Sequence, residues 1–138
     1  MEKIHHIFLL LILSVLTMTG QSANAQRLSD LILIADDNEG TFLGTFENEY
    51  TSNSVFNEYG NYGSQYSSKS IFNQYSQYGS EYSSYSPFNA YASNPPLIVD
   101  KDGNFYGRLS INRYARGVTN ESYQLAMKLK ARWNALNK

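Results

Sequence analysis

Residues 54–69 read SVFNEYGNYGSQYSSK, residues 70–85 read SIFNQYSQYGSEYSSY, and residues 86–96 open a third copy as SPFNAYASNPP. Ser54/Ser70/Ser86, Phe56/Phe72/Phe88, Asn57/Asn73/Asn89 and Tyr59/Tyr75/Tyr91 are shared by all three copies. Tyr62/Tyr78, Gly63/Gly79, Ser64/Ser80 and Tyr66/Tyr82 are shared by the first two. An eroded copy precedes them, with Gly44, Phe46 and Tyr50 in register. The 16-residue period is too short for a helix pair or a propeller blade. Where the copies differ, at Glu58/Gln74, Asn61/Gln77, Gln65/Glu81 and Lys69/Tyr85, the residues are polar or charged, as solvent-facing positions are. The fixed aromatic and small residues are then expected to face inward or toward a ligand.

Each copy reads locally as one short helical turn plus a loop. Ser stands as an N-cap and Gly as a stop, and Pro87 follows Ser86 at the favoured first helical position. Tyr-Gly-Ser then reads as a turn. Tracts of Ser, Tyr, Gly, Asn and Gln also occur in disordered, self-associating segments. The retained Phe and Ile/Val positions and the regular flanks favour order.

Outward from the repeats the pattern changes. Leu31-Ile32-Leu33-Ile34-Ala35, an Asp-rich turn ending at Gly40, and Thr41 to Phe46 read as strand, turn, strand. Leu97-Ile98-Val99, Asp100 to Asn104, and Phe105 to Ile111 read the same way. A Gly-containing polar turn between apolar runs is a hairpin signal. Phe105, Leu109 and Ile111 fall on one face by alternation, with Arg108 and Ser110 on the other. One hairpin alone is unstable in water, so the two are expected to pair into a small antiparallel sheet. Beyond Thr119, Leu125, Leu129, Trp133 and Leu136 follow a helical stripe with Ala126 beside it, and Thr119 or Asn120 is the expected N-cap. Packing on the sheet is the plainer fate for this helix, and a membrane-surface role the sharper one.

The opening MEKIHHIFLLLILSVLTMTGQSANAQ has the layout of a secretory signal peptide. It has a positive start at Lys3, an apolar run from Ile7 to about Leu16, and the small-x-small site Ala23-Asn24-Ala25. The expected organisation is a signal peptide over 1–25 and a single small domain over 26–138. Within that domain come a hairpin at 31–46, repeats at 54–95, a hairpin at 97–112 and a helix at 120–137. His5 and His6 are the only histidines, and there is no Cys. Residues 26–138 therefore lack the parts of Ser-His-Asp and Cys-His catalysis. They also lack the imidazole and thiolate ligands of ordinary zinc, copper and haem sites.

Acids dominate from Gln26 to Gly60 and bases from Lys101 onward. The basic residues alternate with apolar ones instead of forming a run, so neutralisation between the two ends is favoured over a nucleic-acid surface. The turns Asp36–Gly40 and Asp100–Asn104 offer oxygen ligands that suit calcium, but the full EF-hand spacing is missing, and hairpin turns use the same residues. Glu58 with Glu81, or Asp36 with Asp100, would have to serve as any glycosidase-type carboxylate pair, and Glu58 is replaced by Gln in the next copy.

The string SVFNEYGNYGSQYSS, its second copy, and SPFNAYASNPPLIVDKDGNFYGRLSINRY together resemble a family of small exported bacterial proteins with no assigned activity. The family pattern is S-[IV]-x-N-x-Y-G-x-Y-G-S-x-Y-S followed by P-P-x-I-x-D-x-x-G-x-F-Y-G. The match covers about residues 41–114, and the helix after Thr119 lies outside it. The resemblance implies export and brings no ligand or catalytic residue with it. Some such proteins carry Cys before the first repeat. Residues Leu43 to Tyr50 here contain none, so no thiol role transfers.

The resulting expectation is an exported α+β protein, periplasmic or extracellular, with two β-hairpins flanking the repeats and an amphipathic C-terminal helix. It is a non-enzymatic binding module with no catalytic residue, cofactor or metal. Its candidate binding residues are Tyr59, Tyr62, Tyr66, Tyr75, Tyr78, Tyr82, Asn57, Asn73 and Asn89. The tyrosines either present flat faces and hydroxyls to an envelope glycan or protein partner, or form the core of a region short in aliphatic side chains. Nucleic-acid binding and stable membrane insertion are not expected. The competing functions are a self-assembling envelope subunit and, more remotely, a carboxylate-based hydrolase.

Overall fold

The computed structural model describes Arg27–Lys138, and the expected signal segment lies outside the described residues. After a 3-10 turn at Leu28–Asp30 come four strands: β1 (Leu31–Ile34), β2 (Phe42–Thr45), β3 (Leu97–Asp100) and β4 (Phe105–Arg108). They form one antiparallel sheet in the order β2-β1-β3-β4. Among the described residues one α-helix, α1 (Asn120–Leu136), completes an α+β architecture. At the centre of the sheet, Leu33 stands opposite Ile98. The first β-turn segment and the second are built alike. Asp37 Oδ1 accepts the N–H groups of Glu39 and Thr41 at 3.0 and 3.2 Å, and Asp100 Oδ1 accepts those of Asp102 and Asn104 at 2.9 Å each. These are Asx-type turns, in which a short carboxylate takes the place of a backbone acceptor.

The sheet departs from simple alternation at β4. The pairing register shifts between Ile98 and Val99, and Gly107 supplies the φ of 123° that this bulge needs. The ladder ends at Arg108, short of the 112 expected from the sequence. Phe105 is consequently exposed, while Arg108 is buried with its Nη1 2.8 Å from Asp36 Oδ2 and 2.9 Å from the Pro95 carbonyl. That ion pair ties the acidic early stretch to the basic late one.

The repeats are not helical turns separated by loops. From Asn48 to Ala92 the chain is a succession of β-turns, mostly three residues apart, with the N–H of each fourth residue bonded to the first residue's carbonyl. The turns start at Ser54, Asn57, Gly60, Ser64 and Ser67 in the first copy, then at Ser70, Asn73, Ser76, Ser80 and Ser83 in the second. Five three-residue turns and one added glycine, Gly63 or Gly79, make up the 16 residues. In most turns the leading Ser or Asn side chain also accepts the N–H two residues on, as Ser70 does from Phe72 at 3.0 Å and Asn73 from Tyr75 at 2.9 Å. Helix does not propagate because every third residue again offers its own side-chain acceptor to the backbone.

One core joins sheet, turns and helix. Leu31, Leu33, Leu43 and Ile98 of the sheet meet Val55, Ile71, Phe72 and Phe88 of the turns and Leu125, Leu129 and Trp133 of α1. Thr119 caps α1 in a capping box with Ser122. The far end of the helix docks on repeat carbonyls. Trp133 Nε1 donates to Gly79 O at 2.8 Å, Arg132 Nη2 to Phe56 O at 3.1 Å, and Asn137 Nδ2 to Phe72 O at 2.8 Å. Phe56 and Phe72 are equivalent positions in successive copies, so the helix satisfies acceptors that recur with the repeat.

Candidate functional site

The turn array sorts the tyrosines. Tyr50, Tyr66 and Tyr82 form one series 16 residues apart, and Tyr59, Tyr75 and Tyr91 form another. All six are between 83% and 94% exposed. Each is the third residue of a turn led by Ser or Asn. The leading side chains of Asn48, Ser64 and Ser80 accept the N–H of Tyr50, Tyr66 and Tyr82 at 2.8, 3.0 and 3.1 Å. Those of Asn57, Asn73 and Asn89 accept the N–H of Tyr59, Tyr75 and Tyr91 at 3.0, 2.9 and 2.9 Å. The three asparagines are thus turn-holding groups. Their Nδ2 atoms also donate back to the carbonyls of Thr51, Ser67 and Ser83 at 3.3, 3.0 and 2.9 Å.

Tyr62 and Tyr78 go the other way. Tyr62 packs edge-on against Phe42, with ring centroids 5.0 Å apart. Tyr78 is in the core, and its hydroxyl donates to Asp37 Oδ2 at 2.8 Å. Of the candidate binding residues, Tyr59, Tyr66, Tyr75 and Tyr82 are therefore presented to solvent, while Tyr62 and Tyr78 support the scaffold. Tyr50 and Tyr91 belong with the exposed set. Their 16-residue spacing from Tyr66 and Tyr75 was the available signal for them.

Tyr66 and Tyr75 share a cleft of about 280 Å³ whose lining also includes Gln65, Gln74, Asn137 and Lys138. The end of α1 forms part of its wall, a contribution that the repeat pattern alone does not reveal. The cleft offers two phenol rings, side-chain amides and one ammonium group.

Of the four carboxylates considered for chemistry, Glu58 is exposed and the other three are engaged in the scaffold. Asp36 pairs with Arg108. Asp100 accepts from two backbone N–H groups, Asn104 Nδ2 at 3.0 Å and the Tyr106 hydroxyl at 2.9 Å. Glu81 lies 3.6 Å from Lys130 Nζ. Among the described residues no three His, Cys, Asp or Glu side chains gather as metal ligands, and no helix is long and apolar enough to cross a membrane.

Asp37 and Asp100 carry a pH consequence. Burial alone would raise both, but the hydrogen bonds they accept outweigh it and hold each below its ordinary value of 3.8. The folded chain then binds these protons more weakly than the unfolded chain. Their stabilisation is complete above about pH 4 and is lost as pH falls further. Urea unfolding at pH 7 and pH 3 is expected to show a lower midpoint at pH 3. An Asp37→Asn/Asp100→Asn variant is expected to show a smaller drop between the two. Burial and then the hydrogen bond to Asp100 push the Tyr106 hydroxyl up to about 12.

Comparison with known proteins finds no matching family model, no matching curated protein and no matching solved structure, so the arrangement of residues in this chain carries the functional argument.

Proposed function

We propose that this protein is a non-enzymatic, exported binding module whose exposed tyrosines contact an envelope polysaccharide or a protein partner, in the periplasm or outside the cell. The observation that carries the reading is the pair of tyrosine series, Tyr50/Tyr66/Tyr82 and Tyr59/Tyr75/Tyr91, held outward on hydrogen-bonded turns. Leaving six large aromatic rings in water contributes nothing to the core. The Phe residues three positions before Tyr75 and Tyr91 are buried on the same kind of turn. A turn fixed by its own Ser or Asn presents a ring with only two free side-chain torsions, which lowers the ordering cost of binding. The absence of His and Cys from residues 26–138 supports a role without thiol or imidazole chemistry.

The test is co-sedimentation of the purified protein with isolated envelope and peptidoglycan fractions, beside a Tyr66→Ala/Tyr75→Ala variant. Both rings are exposed, so the variant is expected to keep its stability to within about 0.5 kcal/mol per site. Pelleting that the variant loses supports the reading. A protein that stays in the supernatant, or a variant that pellets equally, overturns it. Concentration-dependent size without envelope binding would support a self-assembling subunit instead.

A further inference from the structure

We infer that the Tyr66–Tyr75 cleft takes one ring of an uncharged glycan chain, and that Tyr50/Tyr59 and Tyr82/Tyr91 supply aromatic faces for further rings. This assignment of a ligand class rests on the binding-module reading above.

The size of the cleft points to a ring, not a whole ligand. At about 280 Å³ it lies below the roughly 300–1,000 Å³ of pockets that enclose drug-sized molecules. Its chemistry points to a sugar. The phenol faces of Tyr66 and Tyr75 suit the C–H face of a pyranose, the amides of Gln65 and Gln74 can both donate to and accept from its hydroxyls, and Asn137, whose Nδ2 is held by the Phe72 and Trp133 carbonyls, offers its Oδ1 as an acceptor. No carboxylate side chain lines the cleft, and Lys138 is its one charged side chain. A protein partner or a second copy of this chain would need an apolar anchor at its centre. Leu136 is the sole aliphatic side chain in the lining.

The repetition points to a polymer. Each of the three tyrosine pairs is nine residues apart in the chain, as 50/59, 66/75 and 82/91. All six members sit on turns closed by the same side-chain bond. What recurs is the aromatic face, since Glu49/Glu58 and Glu81/Ala90 stand where the cleft has Gln65/Gln74, and repeated faces add affinity only for a ligand that repeats as they do. A linear polysaccharide has that property, whereas a monosaccharide would occupy each site singly.

The test is an isothermal and NMR titration of the purified protein with cello-oligosaccharides and N-acetylglucosamine oligosaccharides of two and six units, with polygalacturonate as the anionic arm. At least one neutral series is expected to bind, the six-unit member about tenfold or more tighter than the two-unit one. Tyr75→Ala is expected to lose about tenfold or more in affinity, as expected when a stacking aromatic is removed, and Tyr75→Trp to retain binding. Tyr82→Ala/Tyr91→Ala is expected to weaken the six-unit ligand while sparing the two-unit ligand at the Tyr66–Tyr75 cleft. Binding of polygalacturonate alone overturns the uncharged class, and equal affinity for two and six units overturns the further positions. If neither neutral series binds but envelope pelleting still depends on Tyr66 and Tyr75, the glycan assignment fails and the binding module stands. If pelleting is independent of both tyrosines, the underlying reading fails with it.

Discussion

Gly79→Ala is expected to destabilise the protein by about 3 kcal/mol or more, read from urea unfolding, because the added methyl group has only backbone to push against. A Cβ on Gly79 would overlap the Asn73 carbonyl oxygen and stand 2.7 Å from the Ile71 carbonyl oxygen. Neither oxygen is at the end of a flexible side chain. The Asn73 carbonyl also accepts from Ser76 N at 3.0 Å and Ser76 Oγ at 3.1 Å, so moving it opens a turn. Moving Gly79 instead pulls its own carbonyl from Trp133 Nε1, which undoes the docking of α1. Gly63→Ala meets the same obstacle at Asn57 O and Val55 O, so it is expected to behave alike. Gly103→Ala is the control. Nothing lies within 4 Å of its Cβ, and only its φ of +86° is at issue, for an expected cost of about 1–2 kcal/mol. A Gly79→Ala loss no larger than that of Gly103→Ala would show that the added residue in each repeat is loosely held.

That added glycine is the part of the fold the sequence conceals best. The α1 helix was legible because Leu125, Ala126, Leu129 and Trp133 mark one stripe over about two turns, and all four are buried. The sheet was legible because Leu31–Ile34 and the run Leu97-Ile98-Val99 are short apolar strings beside Gly-containing turns. The repeat was visible as 16 residues, but its division into three-residue turns was not. Ser70 explains why. A helix N-cap accepts an N–H two or three residues on, and Ser70 does accept from Phe72 N at 3.0 Å. The same local bond serves a cap and an isolated turn. Only the next acceptor, Asn73, decides between them, since it starts a new turn where a helix would continue. The tyrosine fates were hidden for a related reason. Tyr75 and Tyr78 are one turn apart and face opposite environments, a spacing that matches neither the strand nor the helix period. The cleft needed α1 as well, and no local pattern links Tyr66 to Asn137.

The opposite fates of neighbouring turns make the second large prediction a contrast within one repeat. Phe72→Ala is expected to cost about 3–5 kcal/mol, whereas Tyr75→Ala is expected to stay within about 0.5 kcal/mol of the parent. Both residues are the third of a turn, and both donate their backbone N–H to the leading side chain, so the backbone they leave behind is the same. What differs is the surroundings of the ring. Phe72 is fully buried, 6.1 Å from the Phe88 ring, with the Arg132 guanidinium 5.5 Å from its centroid. Truncation there opens a cavity that the facing turn cannot fill without losing the bond that Phe88 N–H donates to Ser86 Oγ. It also leaves Arg132, whose buried Nε has no hydrogen-bond partner among the described residues, without the aromatic face it rests on. Tyr75 has none of these dependants, and removing it vacates only one wall of an open cleft. Parallel urea curves for the two variants measure the difference. Two curves shifted by similar amounts would mean that Tyr75 is held by the fold and is not set out for a ligand.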